Sequence, residues 1–246
     1  MNKTALGEIA KIERYPVKSL EGESLDEVEI AHYGLLGDRG RAVIDPAKEG
    51  FDRYFTAREA PQMLSYKAVL AKTNAQADPH TLPDITITGP EGETLSWNEE
   101  FLSRIQSYTD QTLALHTYDP ATEALMGVDD EHVLIVSDAS LKALQKQWGK
   151  KLNGIRFRPN LTIALDEDTP YAELEWIGKQ IHIGDTVLQV NKRCKRCVLI
   201  TIDPDSLEKD PSLLKALTDQ DFYFGVYASV VKTGTIFTGD PVYIAE

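Results

Sequence analysis

Cysteine is nearly absent from this sequence: Cys194 and Cys197 are the only two in 246 residues. Two thiols three positions apart cannot build a secreted disulfide scaffold, and they suit a reducing cytosol. Nowhere does the chain approach the ~18 consecutive apolar residues of a membrane helix. Met1 to Glu8 also lacks the apolar core and cleavage site of a secretory leader. The expectation is a cytoplasmic protein without membrane association. Positive charge is scarce as well, with 26 Lys and Arg against 39 Asp and Glu and a formal net charge of −13. Nucleic acids and anionic lipids need a broad basic face, so neither is expected as a partner. There is no P-loop, no Rossmann glycine fingerprint and no nucleophile elbow. The five histidines (His32, His80, His116, His132 and His182) show no pair at metal or triad spacing. No internal repeat or low-complexity stretch is present.

What is there is a chain that can bury a core, 42% hydrophobic, punctuated by Gly, Pro and Asp turns. Short β-like runs recur at Gly7 to Ile12, Leu25 to Ile30, Arg41 to Ile44, Tyr66 to Leu70, Ile85 to Thr88 and Leu113 to Tyr118. Asn74 to Pro83 reads as a polar surface loop. Ser96-Trp97-Asn98-Glu99 has the form of a capping box and predicts a helix over about 97–108. After an acidic, irregular stretch at 119–131, Val133 to Val136 reads as a buried strand. The clearest helix follows, with Asp138 or Ser140 as cap, Leu141, Leu144 and Trp148 on one face and Gly149 as terminator. Leu161 to Ala164 is a further strand. Gln180 to Ile183 and Val187 to Val190 form a hairpin through Gly184-Asp185. A short helix is expected at Leu213 to Leu217, and β-like runs at Val226 to Val231 and Val242 to Ile244. The fold class is mainly β with a few helices.

One stretch concentrates the chemistry, Asn191 to Pro204. Lys192, Arg193, Lys195 and Arg196 surround the two thiols, and neighbouring cations favour a thiolate. The apolar run after Cys197 reads as a buried strand. Cys194-x-x-Cys197 could be half a zinc site, but no second CxxC exists. It could be a redox pair, which belongs at a strand-to-helix turn, or two cysteines that merely pack. Lys18-Ser19, Asp38-Arg39, Arg58 and Arg158-x-Asn160 each set a cation beside a turn or at a strand entry. Each is either an ordinary surface residue or part of a shared anion site, and spacing leaves open whether they converge. On the residues alone, the feature is a reactive thiol in a basic pocket.

Tyr15-Pro16-Val17-Lys18-Ser19, Gly37-Asp38-Arg39, Thr56-Ala57-Arg58, Phe157-Arg158-Pro159-Asn160, Arg196-Cys197-x5-Asp203-Pro204 and Gly239-Asp240-Pro241-Val242-Tyr243 occur in the order seen in MOSC-domain molybdenum proteins. The chain resembles the amidoxime-reducing component and its bacterial relatives over nearly its whole length. That resemblance implies a MOSC-type β-barrel at 119–246, preceded by an N-terminal β-barrel-like region at 1–118. It implies a molybdenum cofactor of the molybdopterin type, with Cys197 giving its thiolate to molybdenum as the catalytic ligand. Lys18, Ser19, Arg39, Arg158, Asn160 and Tyr227 are implied as cofactor contacts. Asp130 stands where relatives often have threonine, and Lys195 replaces a small polar residue. The implied activity is reduction of N-hydroxylated compounds such as amidoximes and hydroxylamines. Two cysteines cannot hold a four-cysteine iron–sulfur cluster, and the chain ends at Glu246 without the ferredoxin domain fused to some bacterial relatives. A separate reductase or ferredoxin-like protein is therefore expected to supply electrons. The alternatives are a sulfur carrier with a persulfide on Cys197, or a non-catalytic carrier of the cofactor.

Overall fold

A computed structural model describes residues 3–71, 81–123, 125–128 and 130–245. The first half contains β1 (Lys3–Arg14), β2 (Glu23–Leu25), β3 (Glu27–Ala31), β4 (Gly34–Leu35), β5 (Arg41–Ile44), β6 (Lys67–Leu70), β7 (Ile85–Thr88), β8 (Thr94–Leu95), α1 (Glu99–Gln106) and β9 (Ala114–Thr117). The second half contains β10 (Val133–Ser137), α2 (Asp138–Trp148), β11 (Leu161–Leu165), β12 (Gln180–Ile183), β13 (Thr186–Lys195), α3 (Ser212–Lys215), β14 (Tyr223–Lys232), β15 (Gly234–Phe237) and β16 (Pro241–Ala245). The mainly-β class expected from the sequence holds.

Seven strands close into a barrel in the order β11-β10-β14-β13-β12-β16-β1, with β1 pairing back onto β11. Both ends of the chain therefore meet in one sheet, and β15 pairs with β3 across the same divide. Closure needs one glycine. Gly7 has φ +146°, and a Cβ there would lie 1.9 Å from the Ala164 carbonyl oxygen. The register of β1 against β16 shifts at this point, as expected where a barrel strand must bend.

Alternation decides which side chains fill the barrel. Val133 and Ile135 of β10, Leu188 and Val190 of β13 and Val226 of β14 point inward into the largest apolar cluster. The outer face of β10 is covered too, so the strand reads as continuously apolar. Val136 packs there with Leu144 of α2, Phe157 and Phe224. The first half holds the sheet β6-β7-β8 and the ladder β5-β9 around a second core that includes Tyr66, Ile87, Phe101 and Ile105.

Three local readings are corrected. Val198–Thr201 is a 3-10 turn rather than a strand. Its apolar residues serve two sides at once, Ile200 entering the α2 cluster while Leu199, with Ile202 just beyond the turn, joins the first-half core. Short apolar runs do not distinguish these cases by periodicity. Helix α1 is capped by Asn98, whose side chain accepts from the Glu100 and Phe101 N–H groups. Helix α2 is capped by Ser137, one residue earlier than expected, and ends at Gly149 with φ 75°. Of the expected loop Asn74 to Pro83, residues 74–80 lie outside the described residues.

Candidate functional site

The cysteine stretch changes character within four residues. The register of β13 against β14 shifts between Val190 and Lys192, which turns Cys194 to the outer face of the barrel, fully buried against Leu134 and Tyr227. After Lys195 the strand ends, and Cys197 opens the 3-10 turn with an exposed side chain. Both thiols are free, and the two face different surroundings. Between them, Arg196 donates from Nη1 to Cys194 Sγ at 2.8 Å and from Nη2 to the Phe157 carbonyl at 2.8 Å. Its guanidinium also lies 5.0 Å from the Phe157 ring centroid.

The turn that carries Cys197 is tied down from below. Arg156 donates to the carbonyls of Ile200 and Thr201 at 3.4 and 3.3 Å and pairs with the Asp203 carboxylate. Partial burial alone would raise the Asp203 pKa. The N–H groups of Ser206 and Asp205 and the charge of Arg156 outweigh it and hold the carboxyl below its ordinary value. Asp203 therefore stays ionised and fixes both the turn and the arginine.

A second group comes from the loop after β1, the turn before β5 and the segment leading into β11. Lys18 donates to the Gly127 carbonyl at 2.8 Å and lies 4.8 Å from the Tyr54 ring centroid. Arg39 pairs with Asp38 at 2.5 Å and donates to the Arg158 carbonyl at 2.9 Å. Arg158 donates to the Leu20 carbonyl at 2.8 Å. The Asn160 oxygen accepts from Leu134 N–H at 3.0 Å, and its Nδ2 donates to the Glu13 carbonyl at 3.3 Å. Ser19, Arg39 and Arg158 all adopt positive φ, at 69°, 47° and 52°. For residues other than glycine this conformation is costly, and it gathers where side chains must be aimed.

Lys18, Ser19, Arg39, Arg158, Asn160, Cys197 and Tyr227 all line one cavity of about 320 Å³. The cavity also takes in Phe51, Thr56, Leu134, Phe157 and Ile200. Seven cations face it (Lys18, Arg39, Arg58, Arg156, Arg158, Lys195 and Arg196) against Asp130 and Glu131. On a chain of net charge −13 this is a local reversal of sign, suited to an anionic ligand. The Nε atoms of Arg156 and Arg196 are buried and have no hydrogen-bond partner among the described residues. Arg156 was not among the site residues expected from the sequence, although it stands two residues before Arg158 in a cationic run. Among the described residues, no group of three or more His, Cys, Asp or Glu is arranged to hold a metal ion.

The family model for the MOSC domain matches residues 122–243, and that for the MOSC N-terminal beta barrel domain matches residues 6–124. This chain belongs to the MOSC-domain family. Among its MOSC relatives is the mitochondrial amidoxime-reducing component 1 of Homo sapiens, 30% identical over 97% of this chain and 83% of the relative. The Mus musculus component 1 is 29% identical over 97% of this chain and 82% of its own length. A solved structure, the YuaD protein from Bacillus subtilis, is similar with TM-score 0.51 and 12% identity, covering 99% of this chain and 97% of that one. That last likeness concerns the fold alone. No helix among the described residues is long and apolar enough to cross a membrane.

Proposed function

We propose that this MOSC protein reduces N-hydroxylated compounds of the amidoxime and hydroxylamine type on a molybdenum cofactor held in the cationic cavity. The observation that carries the reading is the convergence on one cavity of Lys18, Ser19, Arg39, Arg158, Asn160, Cys197 and Tyr227. The similarity to amidoxime-reducing components supports the substrate class. The donor set fits such a cofactor. Cys197 offers a soft, exposed sulfur, which suits a transition metal of this kind. The cavity cations suit a phosphate tail and an anionic dithiolene.

In this reading Cys197 holds the metal, and the Arg156–Asp203 pair keeps its turn in place. Lys18, Ser19, Arg39 and Arg158 hold the pterin and its phosphate, with Asn160 and Tyr227 completing the wall. When bound, the cofactor supplies the two-electron chemistry that removes oxygen from the substrate nitrogen. The chain's own task is to bind, orient and neutralise negative charge. Electrons come from a separate reductase or ferredoxin-like protein.

The test is molybdenum and pterin analysis of protein from a cofactor-competent host, beside Cys197→Ala, followed by benzamidoxime reduction with a chemically reduced viologen as donor. Near-stoichiometric molybdenum, lost in the variant, together with amidine formation is the expected result. Protein that takes up no molybdenum from a supplied cofactor overturns the reading and brings forward a persulfide on Cys197, visible by mass spectrometry.

A further inference from the structure

Tyr15 does not line the cavity, yet two cations that do line it rest on its ring. The guanidinium carbon of Arg158 lies 4.2 Å from the ring centroid and that of Arg39 lies 4.5 Å from it. Tyr15 is 1% exposed, so both contacts form away from water. The backbone fixes the ring from two sides. The Tyr15 N–H donates to Asp38 Oδ1 at 2.7 Å, and its carbonyl accepts from the Arg39 N–H at 2.7 Å. Arg39 then reaches across to the Arg158 carbonyl. The phenol oxygen, by contrast, is buried with no hydrogen-bond partner among the described residues. A buried tyrosine hydroxyl normally finds one, so the part of this residue in use is its ring.

Two guanidinium groups brought this close repel each other. Asp38 already pairs with Arg39, and a further carboxylate placed between the two guanidinium groups would cancel the charge of Arg158 as well. An aromatic face attracts cations through its quadrupole and leaves their charge in place. We propose that Tyr15 is a positioning residue whose buried ring seats Arg39 and Arg158 together and presents them, still charged, to a phosphate group in the cavity. This rests on reading the cavity as an anion site and adds the device that builds it. Burial also drives the Tyr15 hydroxyl well above its usual range, against the pull of Arg158 and Arg39, so the ring stays neutral.

The experiment compares the wild type with Tyr15→Phe, Tyr15→Leu and a variant carrying 3,4,5-trifluorophenylalanine at position 15. The last keeps the shape of phenylalanine while depleting the negative face of the ring. Inorganic phosphate binding to the cofactor-free protein is read from 31P line broadening, and Tm is recorded without phosphate. Molybdenum content is measured separately on protein from a cofactor-competent host. The Phe variant should bind phosphate like the wild type. The trifluoro variant should bind roughly tenfold more weakly, the size of a desolvated cation–π contact, and melt somewhat lower while remaining folded at the temperature of the binding measurement, because both contacts also form without phosphate. The Leu variant should fall at least as far. Equal phosphate binding by the Phe and trifluoro variants overturns the proposal, as does a Phe variant as weak as Leu. A wild type that binds no phosphate also overturns it. Phosphate binding without molybdenum would instead sink the cofactor reading and leave the Tyr15 seat standing.

Discussion

The barrel and the cavity share strands but follow opposite rules. On the inside, β10 and β13 present Val133, Ile135, Leu188 and Val190, each fully buried. On the outside, β10 and β13 present Leu134 and Cys194, β14 adds Tyr227, and beyond β13 the chain breaks into the turn of Cys197. In the barrel strands, positive φ falls on glycine alone, at Gly7 and Gly225. Around the cavity it falls on Ser19, Arg39 and Arg158, where each such residue costs on the order of 1 kcal/mol or more. A closed apolar barrel can offset that cost. Stability and site chemistry should therefore separate under mutation.

The strongest test of that separation is Leu188→Ala, at a fully buried position inside the barrel. Deleting its side chain should cost about 2–5 kcal/mol in urea unfolding, while molybdenum per folded molecule stays at the wild-type level. A folded fraction with an empty cavity would break the comparison. Cys197→Ala should do the reverse. Because the thiol is exposed, stability should stay within about 0.5 kcal/mol. Molybdenum retention, measured by elemental analysis after gel filtration, should fall about 100-fold or more.

The same division governs what could be read from the sequence. Alternation announced the hairpin of β12 and β13, and the spacing of Leu141, Leu144 and Trp148 with Gly149 announced α2. Val198–Thr201 escaped because its apolar residues bridge two cores instead of lining one face. β15, Gly234–Phe237, escaped because its partner β3 is some two hundred residues away. No local pattern brings Leu20 and Arg158 together across 138 positions. The residues alone marked Lys18, Arg39 and Arg158 as candidates for an anion site and the cysteine stretch as a reactive thiol, resemblance alone gave them cofactor roles, and their shared cavity appears in the fold. The tasks of Tyr15 and Arg156 were hidden for the same reason, since each acts through a contact with a residue distant in the chain.

Cys194 sits where the two regions touch, and its removal should produce a mixed effect. In Cys194→Ala the Arg196 Nη1 donor loses the sulfur it contacts at 2.8 Å. Loss of this part-buried hydrogen bond should cost about 1 kcal/mol. Cys194→Ser restores an acceptor and should recover most of that loss. Urea midpoints for the pair give the answer. If the serine variant is no better than alanine, the sulfur contributes packing against Leu134 and Tyr227 and has no role in holding Arg196.

The smallest effect expected is in acid, and it concerns the tether under the Cys197 turn. The folded Asp203 carboxyl lies below its ordinary pKa, so the unfolded chain binds a proton first as pH falls. Its contribution is full above the unfolded value of about 3.9 and is lost as pH drops through the folded value. Wild type should thus exceed Asp203→Asn in stability at pH 7, and the gap should close below about pH 4. Leu188→Ala carries the same Asp203–Arg156 pair, so its acid slope should parallel that of the wild type despite its lower stability. Urea midpoints from pH 7 to pH 3 measure both. A gap between wild type and Asp203→Asn that stays constant over that range would mean that Arg156 holds the turn through the Ile200 and Thr201 carbonyls alone.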